Sequence, residues 1–142
     1  MSVKAILDEK GRQVYTVDPH ATVRDAVEAL HKNRVGAVVV TKPGDKIAGI
    51  LSERDIVAGI SKYGAGVLDK PVTALMTAKV HVCHEDMSVN DIMEIMNHIR
   101  ARHLPVERNG QLVGIVSIGD AVRRHITAIE QEAEQIKAYI AS

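Results

Sequence analysis

The chain repeats itself, and this constrains its fold more than any other feature. Residues 14–57 can be laid over residues 80–122, with Val23, Asp25 and Leu30 falling on Val89, Asp91 and Met96, each 66 positions later. One extra residue at Asp45 changes the offset to 65. Gly49-Ile50-Leu51-Ser52-Glu53-Arg54-Asp55 then falls on Gly114-Ile115-Val116-Ser117-Ile118-Gly119-Asp120. Two copies of one unit fill most of the 142 residues, so the fold must be one that a half-sized unit can build twice.

Both copies read in the same order. In the first, a short strand over 14–17 precedes a helix opened by Thr22, whose apolar positions Val23, Ala26, Val27 and Leu30 share one helical face. The apolar run 37–40 is too short for a helix. Lys42-Pro43-Gly44-Asp45 is turn chemistry, and 47–51 is a second apolar run, so the two form a hairpin. A second helix starts at Ser52 and fades near Lys62. The second copy supplies a strand over 81–83, a Met-rich helix over 88–99, strands over 104–106 and 112–116 about an Asn109-Gly110 turn, and a helix from Ser117. The reading is a mixed α/β (α+β) fold of two strand-helix-strand-strand-helix repeats, packed face to face about an approximate two-fold axis. The divisions are 1–66 for the first repeat with its N-terminal segment, 67–79 for the linker, 80–125 for the second repeat and 126–142 for a helical extension. In the linker, Pro71 is placed to open a short helix. Along the last helix Val122, Ile126, Ile129, Ala133, Ile136 and Ile140 make a heptad seam, which packs on its own domain or on a second chain.

Charge and composition exclude several functions. Lys plus Arg and Asp plus Glu both number 18, which leaves no basic field for a phosphate backbone. Three tyrosines without Phe or Trp give no platform for stacking bases. No apolar run reaches the ~20 residues of a spanning helix, so neither nucleic acid nor membrane is expected as a partner. The single cysteine, Cys83, excludes a disulfide framework within one chain and suits a reducing cytoplasm. His81, Cys83 and His84 lie close together, yet a structural zinc wants a second ligand pair and none follows. Gly44 to Gly49 imitates the glycine spacing of a phosphate loop, but Ile50 stands where the lysine belongs. No signature joins Ser, His and Asp into a triad, and Met87, Met93 and Met96 read as core filler.

Four helices open with one device: Thr22, Ser52, Ser88 and Ser117 are each followed three residues later by Asp. Helix capping alone explains this pattern. Ser52 and Ser117 also follow the glycine-containing strands, an arrangement that aims a helix N-terminus out of a sheet edge. There N–H groups can meet a phosphate and a carboxylate can accept both hydroxyls of a ribose.

The doubled unit, the two Gly-x-x-Ser-x-x-Asp stretches, Leu75-Met76-Thr77 and Arg102-His103-Leu104-Pro105-Val106 resemble a tandem cystathionine-beta-synthase-type (CBS) domain pair, or Bateman module. The resemblance covers nearly the whole chain. It implies a sensor without catalysis or catalytic cofactor, binding AMP, ADP, ATP, NAD(H) or S-adenosylmethionine in clefts between the repeats. By that resemblance Asp55 and Asp120 hold ribose hydroxyls, Ser52 and Ser117 lie near phosphate or ribose, and apolar strand residues grip the adenine. Arg54 in the first copy, and Arg100, Arg102 and His103 in the second, are cations for a phosphate, with Leu104 and Pro105 beside them. A homodimer and an unidentified regulated protein complete the expectation. The other reading is an interaction scaffold whose clefts bind nothing and whose serines and aspartates only cap helices.

Overall fold

Local sequence sets the helix starts. Thr22, Ser52, Ser88 and Ser117 each accept a hydrogen bond from the backbone N–H of the Asp three residues on, and each Asp accepts one from the capping residue's own N–H. These reciprocal bonds satisfy donors that every helix start leaves orphaned. In the computed structural model, which describes residues 1–142, the order is α1 (Val3–Lys10), β1 (Thr16–Val17), α2 (Val23–Asn33), β2 (Ala37–Lys42), β3 (Lys46–Ser52), α3 (Glu53–Tyr63), α4 (Val89–Ile99), β4 (His103–Arg108), β5 (Gln111–Ser117) and α5 (Ile118–Ala141). Short 3₁₀ turns at Ala65–Asp69 and Val72–Ala74 join the copies.

The hairpins are superimposable in register. Ala37 pairs with Ser52 and His103 with Ser117, and each ladder slips by one residue at the same place, after Val40 and after Val106. Asn109 and Gly110 both take positive φ (53° and 78°), as a two-residue hairpin turn requires. In the first copy β1 runs parallel to β2 and completes a three-stranded sheet.

The strand expected over 81–83 is absent as a strand. It shrinks to a single parallel bridge from Cys83 to Val106. Val39 N–H donates to Tyr15 O at 3.1 Å in the first copy, but the residue in Val39's place is Pro105, which has no N–H to give. Only the Cys83 N–H to Pro105 O and Glu107 N–H to Cys83 O bonds survive, at 2.9 and 3.0 Å.

The repeat extends further upstream than sequence alone showed. Val3, Ala5, Ile6 and Leu7 correspond to Val72, Ala74, Leu75 and Met76. Val3 N–H donates to Met87 O at 2.9 Å, and Val72 N–H donates to Ala21 O at 2.8 Å. Each lead segment packs in the other copy's core. Val3, Ile6 and Leu7 are buried with Cys83, Ile92, Met96, Leu104 and Val116, while Val72 is buried with Val23, Val38, Leu51 and Ile56. The N-terminal segment, grouped by chain order with the first repeat, thus supplies the core of the second. Two glycines mark the seats: a Cβ on Gly114 would lie 2.8 Å from Leu7, and one on Gly49 would lie 2.5 Å from Met76 and 2.9 Å from the Thr77 carbonyl.

The 24-residue α5 leaves the body after its first turns. Its buried residues end at Ala121, and Ile126, Ile129, Ile136 and Ile140 are about half exposed or more. From Ile129 onward the heptad seam therefore does not pack on its own chain, while Val122 and Ile126 are partly covered by it. No helix is long and apolar enough to cross a membrane.

Candidate functional site

The two repeats enclose two clefts built from equivalent residues. The first, about 360 Å³, has Ile50, Ser52 and Asp55 of the first copy on one wall. Facing them are Thr77, Lys79, Val80, His81, Ile99, Ala101, His103 and Leu104. The second, about 280 Å³, sets Ile115 and Ser117 against Gln13, Val14, Tyr15, Arg34, Val35, Gly36 and Ala37, with His103 and Lys10 completing it. These volumes fall near the lower end of small-molecule sites. His103 belongs to both clefts, and a Cβ on Gly36 would come within 3.1 Å of its ring, so it forms the partition between them.

At the first cleft Asp55 is part-exposed at the start of α3. Its Oδ2 accepts from the Ser52 N–H and hydroxyl, both at 3.0 Å, and its Oδ1 has no partner in the chain. No cation pairs with it. The facing wall carries the ammonium of Lys79 and the imidazoles of His81 and His103.

At the second cleft the equivalent carboxylate is already used. Asp120 Oδ2 accepts from Lys10 Nζ at 2.7 Å and from Ser117 N–H at 2.9 Å, while Oδ1 accepts from Arg123 at 2.7 Å. Its side chain is 8% exposed. Burial pushes this carboxyl up, but the hydrogen bonds from Lys10 and Ser117 outweigh burial and leave it below the ordinary carboxylate value. Ser117 lines the cleft, but Asp120 does not. It faces a neighbouring groove between α1 and α5, with Lys10 on the border of both. His103 is held below its usual value by burial and then by Lys10.

Of the residues singled out by sequence, Ser52, Asp55, His103 and Leu104 meet in the first cleft. Arg54 and Arg102 are exposed and line neither cleft, and Pro105 is buried behind its wall. Neighbours on a helix point about 100° apart, so Arg54 cannot share the direction of Asp55. Sequence reading missed Thr77, Lys79 and Lys10. The signal for Lys10 is a length difference: six residues separate Leu7 from Val14, but three separate Met76 from Val80. Cys83 is buried, which pushes its thiol up to about 12, and His84 contacts the Glu107 carbonyl at 3.1 Å. His81 lines the cleft apart from both.

The family model for the CBS domain matches the chain twice, over residues 3–62 and 72–126. The CBS domain-containing protein CBSX3, mitochondrial, of Arabidopsis thaliana is 37% identical over 123 residues, covering 84% of this chain and 60% of that protein. The crystal structure of the CBS-domain containing protein ATU1752 from Agrobacterium tumefaciens is 43% identical with a TM-score of 0.85, covering 88% of this chain and 99% of that one. The CBS domain protein PAE2072 from Pyrobaculum aerophilum, solved in complex with AMP, is 28% identical with a TM-score of 0.75, covering 84% and 89%. Two interlocked copies of one motif, each meeting the same family model, make this chain a member of the CBS-domain family, as a tandem pair.

Proposed function

We propose that the protein is a non-catalytic regulatory module that binds an adenosyl ligand at the Asp55 cleft and passes that event on through its own assembly or a separate regulated protein. The observation that carries this reading is the free Oδ1 of Asp55, held at the positive end of α3 on a cleft wall. A carboxylate so placed can accept two vicinal hydroxyls of a ribose, and charge-assisted bonds of this kind are the strong ones. Ile50, Val80, Ile99 and Leu104 offer apolar surface to a purine, and Lys79 offers a cation to a phosphate. The AMP complex of PAE2072 supports the ligand class. AMP, ADP, ATP, NAD(H) and S-adenosylmethionine all carry the adenosine that these cleft groups would meet.

A second copy of the chain is the partner we assign to α5. Its exposed isoleucines repeat at heptad spacing, which suits pairing with an identical helix. The unpaired thiol of Cys83 fits the reducing cytoplasm in which we place the protein.

Thermal unfolding of the dialysed protein with AMP, ADP, ATP, NADH and S-adenosylmethionine tests the reading. A ligand at 100 times its Kd adds about 2.7 kcal/mol, a rise of roughly 5 to 10 °C for a domain of this size. One selective rise identifies the signal. A flat panel favours the scaffold, in which Ser52 and Asp55 only cap α3.

A further inference from the structure

The two clefts are built alike and finished differently. In the first copy's cleft the lead segment turns at Thr77, whose N–H donates to Ile50 O at 2.9 Å and whose carbonyl accepts from Ile50 N–H at 3.0 Å. Backbone meets backbone, and Asp55 is left facing the cleft. In the other, α1 runs on through the three surplus residues and delivers Lys10. Its ammonium donates to Ile115 O at 2.9 Å, the carbonyl equivalent to Ile50 O, and to Asp120 Oδ2 at 2.7 Å.

We infer that Lys10 stands in for a ligand at Asp120, so that each chain binds one adenosyl ligand, at Asp55, and the carboxylate beside the second cleft is taken by the protein's own α1. This rests on the reading of Asp55 given above. Two independent observations support it. Both Asp120 oxygens are engaged by protein donors, whereas Asp55 keeps one free. Asp55 lines its cleft, whereas Asp120 lies behind Lys10 and does not. A ribose arriving at Asp120 would have to displace a tethered cation, and an intramolecular competitor acts at high effective concentration. When Lys10 is removed, Arg123 remains as a counter-ion on an exposed side chain that can give way to a ribose, and the fold keeps its cap.

Calorimetric titration with AMP and, separately, S-adenosylmethionine measures the stoichiometry. The unmodified chain is expected to bind one equivalent, Asp55→Ala to weaken it by roughly 10- to 100-fold, and Lys10→Ala to bind two. Two equivalents in the unmodified chain overturn the inference and leave the sensor reading standing. One equivalent that survives Asp55→Ala, or a Lys10→Ala chain that still binds one, also overturns it. A chain that binds neither probe overturns the sensor reading and this inference together. A ligand-free readout gives a further check. Lys10 holds His103 down, against Asp120 and Glu53, which raise it, and alongside Arg102. An NMR titration of His103 should therefore shift upward in Lys10→Ala, and an unmoved titration overturns the placement of Lys10 in the cleft.

Discussion

Asp55 and Asp120 begin as the same residue in the same local motif and end in different chemical situations. Both complete a capping box, but three residues on, Arg123 bonds Asp120 where Ala58 follows Asp55. The rest of the difference arrives through space, as one lysine 110 positions away in sequence. His103 between the clefts records this difference. Burial and then Lys10 hold its imidazole below its ordinary 6.5, so the folded protein takes up that proton less readily than the unfolded chain. Above 6.5 both states are neutral and nothing is lost. As pH falls from 6.5 through the lower folded value, stability declines. Asp120 behaves oppositely in range: its folded value lies below 3.8, so its contribution is intact above that and fades only as pH falls through the folded value. Urea midpoints taken at pH 7.5 and 5.5 should drop more for the unmodified chain than for His103→Asn, and equal drops would contradict the assignment.

Among the elements, α1 does most for its length. Its eight residues place Val3 and Leu7 at full burial in the second repeat, with Leu7 seated over Gly114. Leu7→Ala should cost about 2 to 5 kcal/mol, the range for an emptied core site, read from the denaturant midpoint of the whole chain. A cost below about 1 kcal/mol would mean that α1 is a loosely attached arm. The caps and hairpins were legible in the sequence because their signals are local: a hydroxyl followed by an acid, an Asn-Gly between apolar runs. The exchange of lead segments was not, because no property of residues 1–11 names the core in which they pack. The lost strand at 81–83 has a local cause, Pro105, that becomes visible only once the partner strand is known. In the site the same division holds. Ser52 and Asp55 announced themselves by spacing, Arg54 has the right charge and the wrong direction, and Lys10 and Lys79 gain their positions from contacts far along the chain.

At the scale of the molecule, the two repeats make one body with one helix left over. Beyond Ala121 the helix contributes nothing buried to its own chain. A chain ending at Ile129 should retain its unfolding midpoint within about 0.5 kcal/mol, since surface changes away from the core stay within that range, while its sedimentation coefficient falls toward the monomer value. Unchanged sedimentation would remove the seam from the assembly.

The crossed lead segments carry a consequence for how such a chain can be cut. A half-length chain with one repeat would hold an apolar lead helix with no core of its own to enter, and a core with an unfilled seat over its glycine. Both needs are met at once if two such halves trade arms about a two-fold axis. The 142-residue protein is thus a swapped dimer written as a single polypeptide, in which fusion replaces a concentration-dependent encounter with a permanent one.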